Sequence, residues 1–135
     1  MPDVHAVLSA SSSHRWLECP PSARLNAEIA DKASEYAQQG SSAHELAEYK
    51  IKSFLGENVK DPTDSLTYFD KEMADCTDSY AEYVAEQVAK AKERCKDPIV
   101  LVEQRLDFSK WVPQGFGTGD TVIVADDVLT IIDLK

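Results

Sequence analysis

The chain has little of several things, and each scarcity narrows what it can be. No apolar run in its 135 residues approaches the ~20 that a membrane span needs, so a membrane protein is not expected. The start, Met1-Pro2-Asp3-Val4-His5, lacks a basic segment followed by an apolar core. No signal peptide is therefore expected, and a cytoplasmic location is the default. The cysteines are only Cys19, Cys76 and Cys95, odd in number and widely separated. Without a Cys-x-x-Cys pair they argue against structural zinc, and Cys76 and Cys95 read as buried thiols. Basic residues are also scarce: 14 Lys and Arg face 24 Asp and Glu, a formal charge of −10. Phosphate backbones favour clustered cations, so tight, unassisted nucleic-acid binding is disfavoured. The one basic cluster, Lys90, Lys92, Arg94 and Lys96, falls in the last turns of an expected helix, where cations complement the helix dipole. No internal repeat or low-complexity tract appears.

What is present is a sequence with 43% hydrophobic residues, helical in its first part and strand-like at its end. The pattern predicts one domain, 1–135, with helices over 1–97 and a three-stranded sheet over 98–135. Ser11-Ser12-Ser13 offers caps for a short helix stopped by Cys19-Pro20-Pro21, and a second short helix is expected from Ser22 to about Ile29. Ser42-Ala43-His44-Glu45 has the form of a capping box, followed by an apolar stripe through Leu46, Ala47, Ile51, Phe54 and Leu55. Gly56-Glu57-Asn58 closes that helix. From about Ser65 to Lys96 a second stripe runs through Met73, Cys76, Tyr80, Val84, Val88, Ala91 and Cys95, until Asp97-Pro98 breaks it. Ile99 to Leu106 reads as a strand. The fold class expected is α+β, with N-terminal helices packed on a small sheet.

The last nineteen residues carry the chemistry. Thr121 to Ala125 and Val128 to Ile132 are two short apolar runs separated only by Asp126-Asp127, which reads as a β-hairpin. If Ala125 and Val128 flank the turn, Asp120 and Asp133 stand opposite each other. Lys135 then shares the face of Asp133 and lies diagonal to Asp120. Opposed carboxylates ~4.5–5.5 Å apart repel, and a divalent cation between them removes the penalty. Without a cation, at least one of them is expected to have a raised pKa. The alternative is a shifted register and an ordinary turn aspartate at position 120. Asp133 is harder to place structurally, because an ionised group within an apolar strand is costly unless paired or metal-bound.

A Gly-x-Gly-Asp strand followed by an Asp-x-Lys partner resembles the core signature of the PD-(D/E)XK nucleases. The similarity is to the RecB-like branch, which includes λ-type and CRISPR-associated exonucleases. Further cues are Gly40-Ser41-Ser42-Ala43-His44 on an upstream helix, Arg15-Trp16-Leu17-Glu18-Cys19-Pro20 near the start, and Gly115-Phe116-Gly117-Thr118-Gly119-Asp120. The whole layout is similar to an uncharacterised, phage-associated RecB-like family. The resemblance implies a restriction-endonuclease-like core, here incomplete at its C-terminus, with the family's Gln-x-x-x-Tyr helix absent beyond Lys135. It implies Mg²⁺ or Mn²⁺ held by His44, Asp120, Asp133 and the backbone carbonyl of Leu134, with Asp120, Asp133 and Lys135 as the catalytic set. Cys19 matches an early iron–sulfur ligand of some members, but the other ligands are missing, so no cluster is expected. Glu103 interrupts the first strand and reads either as a group supporting the ligands or as a solvent-facing residue. Glu48, four residues after His44, either holds the ring or is solvated, and the solvated reading is preferred.

The implied activity is metal-dependent hydrolysis of DNA phosphodiesters, exonuclease-like, in phage recombination or repair. DNA would bind weakly or with help, from a phage recombination protein for example. The competing expectation is a non-catalytic acidic interaction protein or nuclease remnant, because the chain stops at the lysine itself.

Overall fold

Two capping side chains decide where the long helices begin, and both start at places the apolar stripes do not reveal. The computed structural model describes residues 5–30 and 32–135; the reading of the first residues as lacking a signal sequence falls mostly on 1–4, outside the described residues. Two short helices come first, α1 (Ser13–Glu18) and α2 (Pro21–Ala27). They are followed by two long ones, α3 (Glu35–Phe54) and α4 (Lys71–Arg94). The sheet comes last, as β1 (Ile99–Asp107), β2 (Phe116–Ala125) and β3 (Val128–Ile132) in the order β1-β2-β3. The class is α+β.

Helix α3 begins seven residues before the Ser42 start expected from the capping-box pattern. The Ser34 side chain accepts from the Ala37 N–H at 3.2 Å and caps the helix there. Gly40 is carried inside the helix, Ser42 is buried, and His44 sits mid-helix rather than in the first turn. The upstream turns went unread because Tyr36 is 85% exposed and no apolar stripe marks them. Helix α4 likewise starts at Lys71 instead of Ser65, because the Asp70 carboxylate accepts from the Met73 N–H at 2.7 Å. Upstream of it, Thr63–Ser65 forms a single 3-10 turn, with the Asp61 carboxylate accepting from the Thr63 N–H at 2.9 Å.

The chain divides into two compact units. The first comprises residues 33–104 and 119–135; the second comprises the described residues up to 32 together with 105–118. The core of the first unit joins Ala47 and Ile51 of α3, Tyr80, Val84, Val88 and Ala91 of α4, and Ile123, Ala125 and Ile132 of the hairpin. Cys76, expected inside, is exposed; Thr77 takes the interior position at zero exposure. Its hydroxyl donates to the Met73 carbonyl at 2.8 Å and accepts from Lys50 Nζ at 2.7 Å, so a polar side chain is satisfied there. Lys50 also donates to the Ala74 carbonyl and Asp78, tying α3 to α4.

The hairpin register runs from Thr121↔Ile132 to Ala125↔Val128, the pairing expected from the two-residue break. Asp126 makes the turn at φ +53°, in the left-handed region that aspartate tolerates better than most residues. The Tyr80 hydroxyl donates to the Ile132 carbonyl at 3.3 Å and lies 2.9 Å from Thr121 Oγ1, which fixes the hairpin to α4.

The second unit packs α1 beside α2. Trp16 donates its indole N–H to the Ser9 carbonyl at 2.9 Å and is half-buried, whereas Arg15 is exposed. The segment 105–118 forms a hydrogen-bonded loop with the ends of β1 and β2. In it the Phe108 N–H donates to Gly115 O at 3.1 Å, and the Gly115 N–H donates to Val112 O at 2.7 Å.

Candidate metal centre

Three side chains from three elements of the first unit converge. His44 comes from the middle of α3, Glu103 from β1 and Asp120 from β2. Each offers one ligand atom, and the three atoms lie within 4.8 Å of one another. His44 Nδ1 is 3.3 Å from Asp120 Oδ1 and 3.4 Å from Glu103 Oε1. The side chains are only 16%, 15% and 10% exposed for His44, Glu103 and Asp120.

Backbone geometry explains how Glu103 joins the cluster. It adopts φ +48° in the middle of a strand, a conformation uncommon for a non-glycine residue. Such local departures re-aim side chains and cost of order 1–3 kcal/mol, which the surrounding structure must over-determine. Asp120 is anchored from the other side, where its Oδ2 accepts the Leu134 N–H at 2.8 Å. One oxygen of Asp120 is thus held by backbone while the other faces the imidazole.

The electrostatics follow from this packing. Hydrogen bonding to Asp120 and then to Glu103 raises the His44 pKa to about 9, against the opposing effect of burial. Near neutral pH the imidazolium is therefore the cation that offsets two carboxylates. Burial pushes Asp120 upward, but hydrogen bonds with His44, the Leu134 N–H and the Asp133 side chain outweigh it and hold the carboxyl below its usual range. Of the two carboxylates, one of which was expected to be raised, Asp120 is therefore not the raised one, because His44 supplies positive charge beside it.

The donor set suits a hard divalent cation. Carboxylate oxygens with one imidazole favour Mg²⁺ or Mn²⁺. Adjacent donors on an octahedron with ~2.1 Å bonds are roughly 3 Å apart, close to the observed 3.3 and 3.4 Å. Binding would require His44 to release its proton.

Of the remaining residues singled out in the sequence, Asp133 interacts with Asp120 through its side chain, as the opposed pairing leads one to expect. Asp133 and Lys135 follow the end of β3, and Lys135 Nζ lies 3.2 Å from Asp133 Oδ2. Their side chains are 51% and 85% exposed, and Asp133 is not one of the three converging ligands. Leu134 meets the site through its N–H. Glu48 accepts from Lys52 Nζ at 2.6 Å, an i,i+4 pair on α3. The direct contact of Glu103 with His44 was the part sequence reasoning left open. Its only signal was a carboxylate interrupting the apolar run from Ile99 to Leu106.

Fold and cluster together define an α+β protein with a largely buried histidine–dicarboxylate cluster whose residue types could hold a metal ion. Within that class the chain belongs to the family described as Protein of unknown function (DUF2800), whose family model matches residues 5–135. No solved structure matches the chain. Among the described residues, no helix is long and apolar enough to cross a membrane.

Proposed function

We propose that this chain carries the metal centre of a DNA phosphodiester hydrolase of the PD-(D/E)XK type, RecB-like, serving phage recombination or repair. The observation that carries the reading is the convergence of His44, Glu103 and Asp120 within 4.8 Å, on the helix and strands where the sequence resembles that branch. A bound Mg²⁺ or Mn²⁺ would acidify a water and offset charge building on the phosphate. The protein's own part is positional. Leu134 holds Asp120 through one oxygen so that the other stays directed at the site. The backbone of Glu103 turns its carboxylate to the same point. Lys135, paired with Asp133 three residues beyond β3 and 85% exposed, would have to leave that pair to reach a phosphate oxygen.

A second reading is favoured by one observation, the pairing of Lys135 with Asp133 at the surface. In it the chain is a non-catalytic acidic interaction protein that retains the cation site. Calorimetric titration with Mn²⁺, followed by release of acid-soluble nucleotides from linear DNA, separates the readings. Hydrolysis that needs Mn²⁺ and falls at least a hundredfold in Asp120→Asn is the expected result. Mn²⁺ binding without hydrolysis selects the second reading, and absence of both contradicts the proposal.

A further inference from the structure

The acidity of the chain is unevenly distributed, and the exception points to a substrate. In segments 2–32 and 105–118, Asp3, Glu18, Glu28, Asp31 and Asp107 are matched one for one by Arg15, Arg24, Lys32, Arg105 and Lys110. The whole net charge of −10 therefore falls on the other unit. Within 105–118 the cations alternate with aromatics: Arg105, Phe108, Lys110, Trp111 and Phe116. The lone acid of that stretch, Asp107, is engaged locally, its carboxylate accepting the Ser109 N–H at 2.8 Å.

Two of the three aromatics are packed and one is displayed. Phe108 lies against Gly115, where an added Cβ would come within 2.7 Å of the Phe108 ring and of the Val112 carbonyl. Phe116 has the Arg105 guanidinium 3.9 Å from its ring centre. Trp111, by contrast, is 75% exposed. It is not exposed through looseness of the backbone. The Trp111 and Val112 N–H groups both donate to Phe108 O at 3.0 Å, and Gln114 completes the loop at φ +55°. Lys110 Nζ lies over the indole, 5.5 Å from its centre, so an ammonium stands on one face of the displayed ring. Pro113 and Gln114 continue into a cleft of about 710 Å³ whose other side carries the exposed Arg24.

We propose that the 105–118 loop is a stacking platform for single-stranded DNA, with a base on Trp111 and flanking phosphates on Lys110 and Arg24. The choice of polymer rests on the hydrolase reading above; the choice of single strand rests on the loop. A duplex keeps its bases stacked on one another, whereas an unpaired base has a free face for an indole. The charge-balanced unit is also where a polyanion meets least repulsion.

The test is Trp fluorescence of the full chain titrated with oligo-dT of about fifteen nucleotides in chelator, so that no hydrolysis intervenes. Quenching is expected, with weaker binding to the corresponding duplex. Trp111→Ala should weaken oligo-dT binding roughly tenfold or more, and Trp111→Phe should recover part of it. Lys110→Gln should reduce the slope of log affinity against log salt by about 0.7. Unchanged affinity in Trp111→Ala, or equal affinity for duplex, overturns the proposal. Because these titrations contain no metal, their failure leaves Mn²⁺-dependent hydrolysis to stand or fall separately.

Discussion

The two units solve the problem of staying folded in opposite ways. The first buries Leu46, Ile51, Val84 and Ile123 almost completely and sets the hydrogen-bonded Thr77 and Thr121 among them. In the second, Ala6 and Ala23 are the buried apolar side chains among the described residues, while Leu17, Leu25, Ile29 and Trp111 are all more than 60% exposed. One unit is held by packing, which is why it can position three ligands and absorb a left-handed glutamate. The other is held by turns and local hydrogen bonds, and it leaves its large side chains outward, available for contact.

The contrast is sharpest in core truncation. Ile51→Ala should cost about 2–5 kcal/mol in urea unfolding, whereas Leu25→Ala should stay within ~0.5 kcal/mol. Equal costs would break the distinction.

A smaller effect, of roughly 1–3 kcal/mol and local, is expected for Gly115→Ala, since the new Cβ meets backbone at 2.7 Å. Hydrogen exchange should quicken in 105–118 and stay unchanged in α4; uniform quickening would mean that the two units unfold together.

Tyr80 gives a pH test of the first unit alone. Burial foremost pushes its hydroxyl pKa from 10.0 up to about 12, so the fold disfavours the phenolate. A group with a raised folded pKa gives stability that is whole below the unfolded value and lost as pH rises through the folded one. Urea midpoints should therefore fall between pH 10 and 12. Tyr80→Phe should lower stability by about 1 kcal/mol near neutrality, through loss of its bonds to Thr121 and Ile132. It should also flatten the alkaline fall, and an equally steep fall in the variant would assign it elsewhere.

These regions also differ in how legible they were. The hairpin was readable because two β-branched runs flank a two-residue break, which leaves one register that keeps Ile123, Ala125 and Ile132 inside. The buried face of α4 was readable at Met73, Tyr80, Val84, Val88 and Ala91, but Thr77 displaced Cys76 because Lys50 satisfies its hydroxyl from another helix. The start of α3 was hidden, since its first turns bury nothing apolar and Gly40 looks like a breaker. Asp120 could be singled out by its spacing from Asp133, and His44 only by the resemblance of its helix to the RecB-like branch. The contact of Glu103 with His44 could not be foreseen, because it depends on one backbone angle that no side-chain pattern encodes. The 105–118 loop was opaque for a related reason, its form being set by hydrogen bonds closing on Phe108 and Gly115.

The central claim is that His44, Glu103 and Asp120 form one cation site. Calorimetric Mn²⁺ titration of wild type, Glu103→Gln, Asp120→Asn and Asp133→Asn at pH 7.5 tests it most directly, with circular dichroism to check folding. The account predicts a single site in wild type, affinity lowered roughly tenfold or more in Glu103→Gln and Asp120→Asn, and affinity close to wild type in Asp133→Asn. Loss of binding in Asp133→Asn with full binding in Glu103→Gln would contradict it.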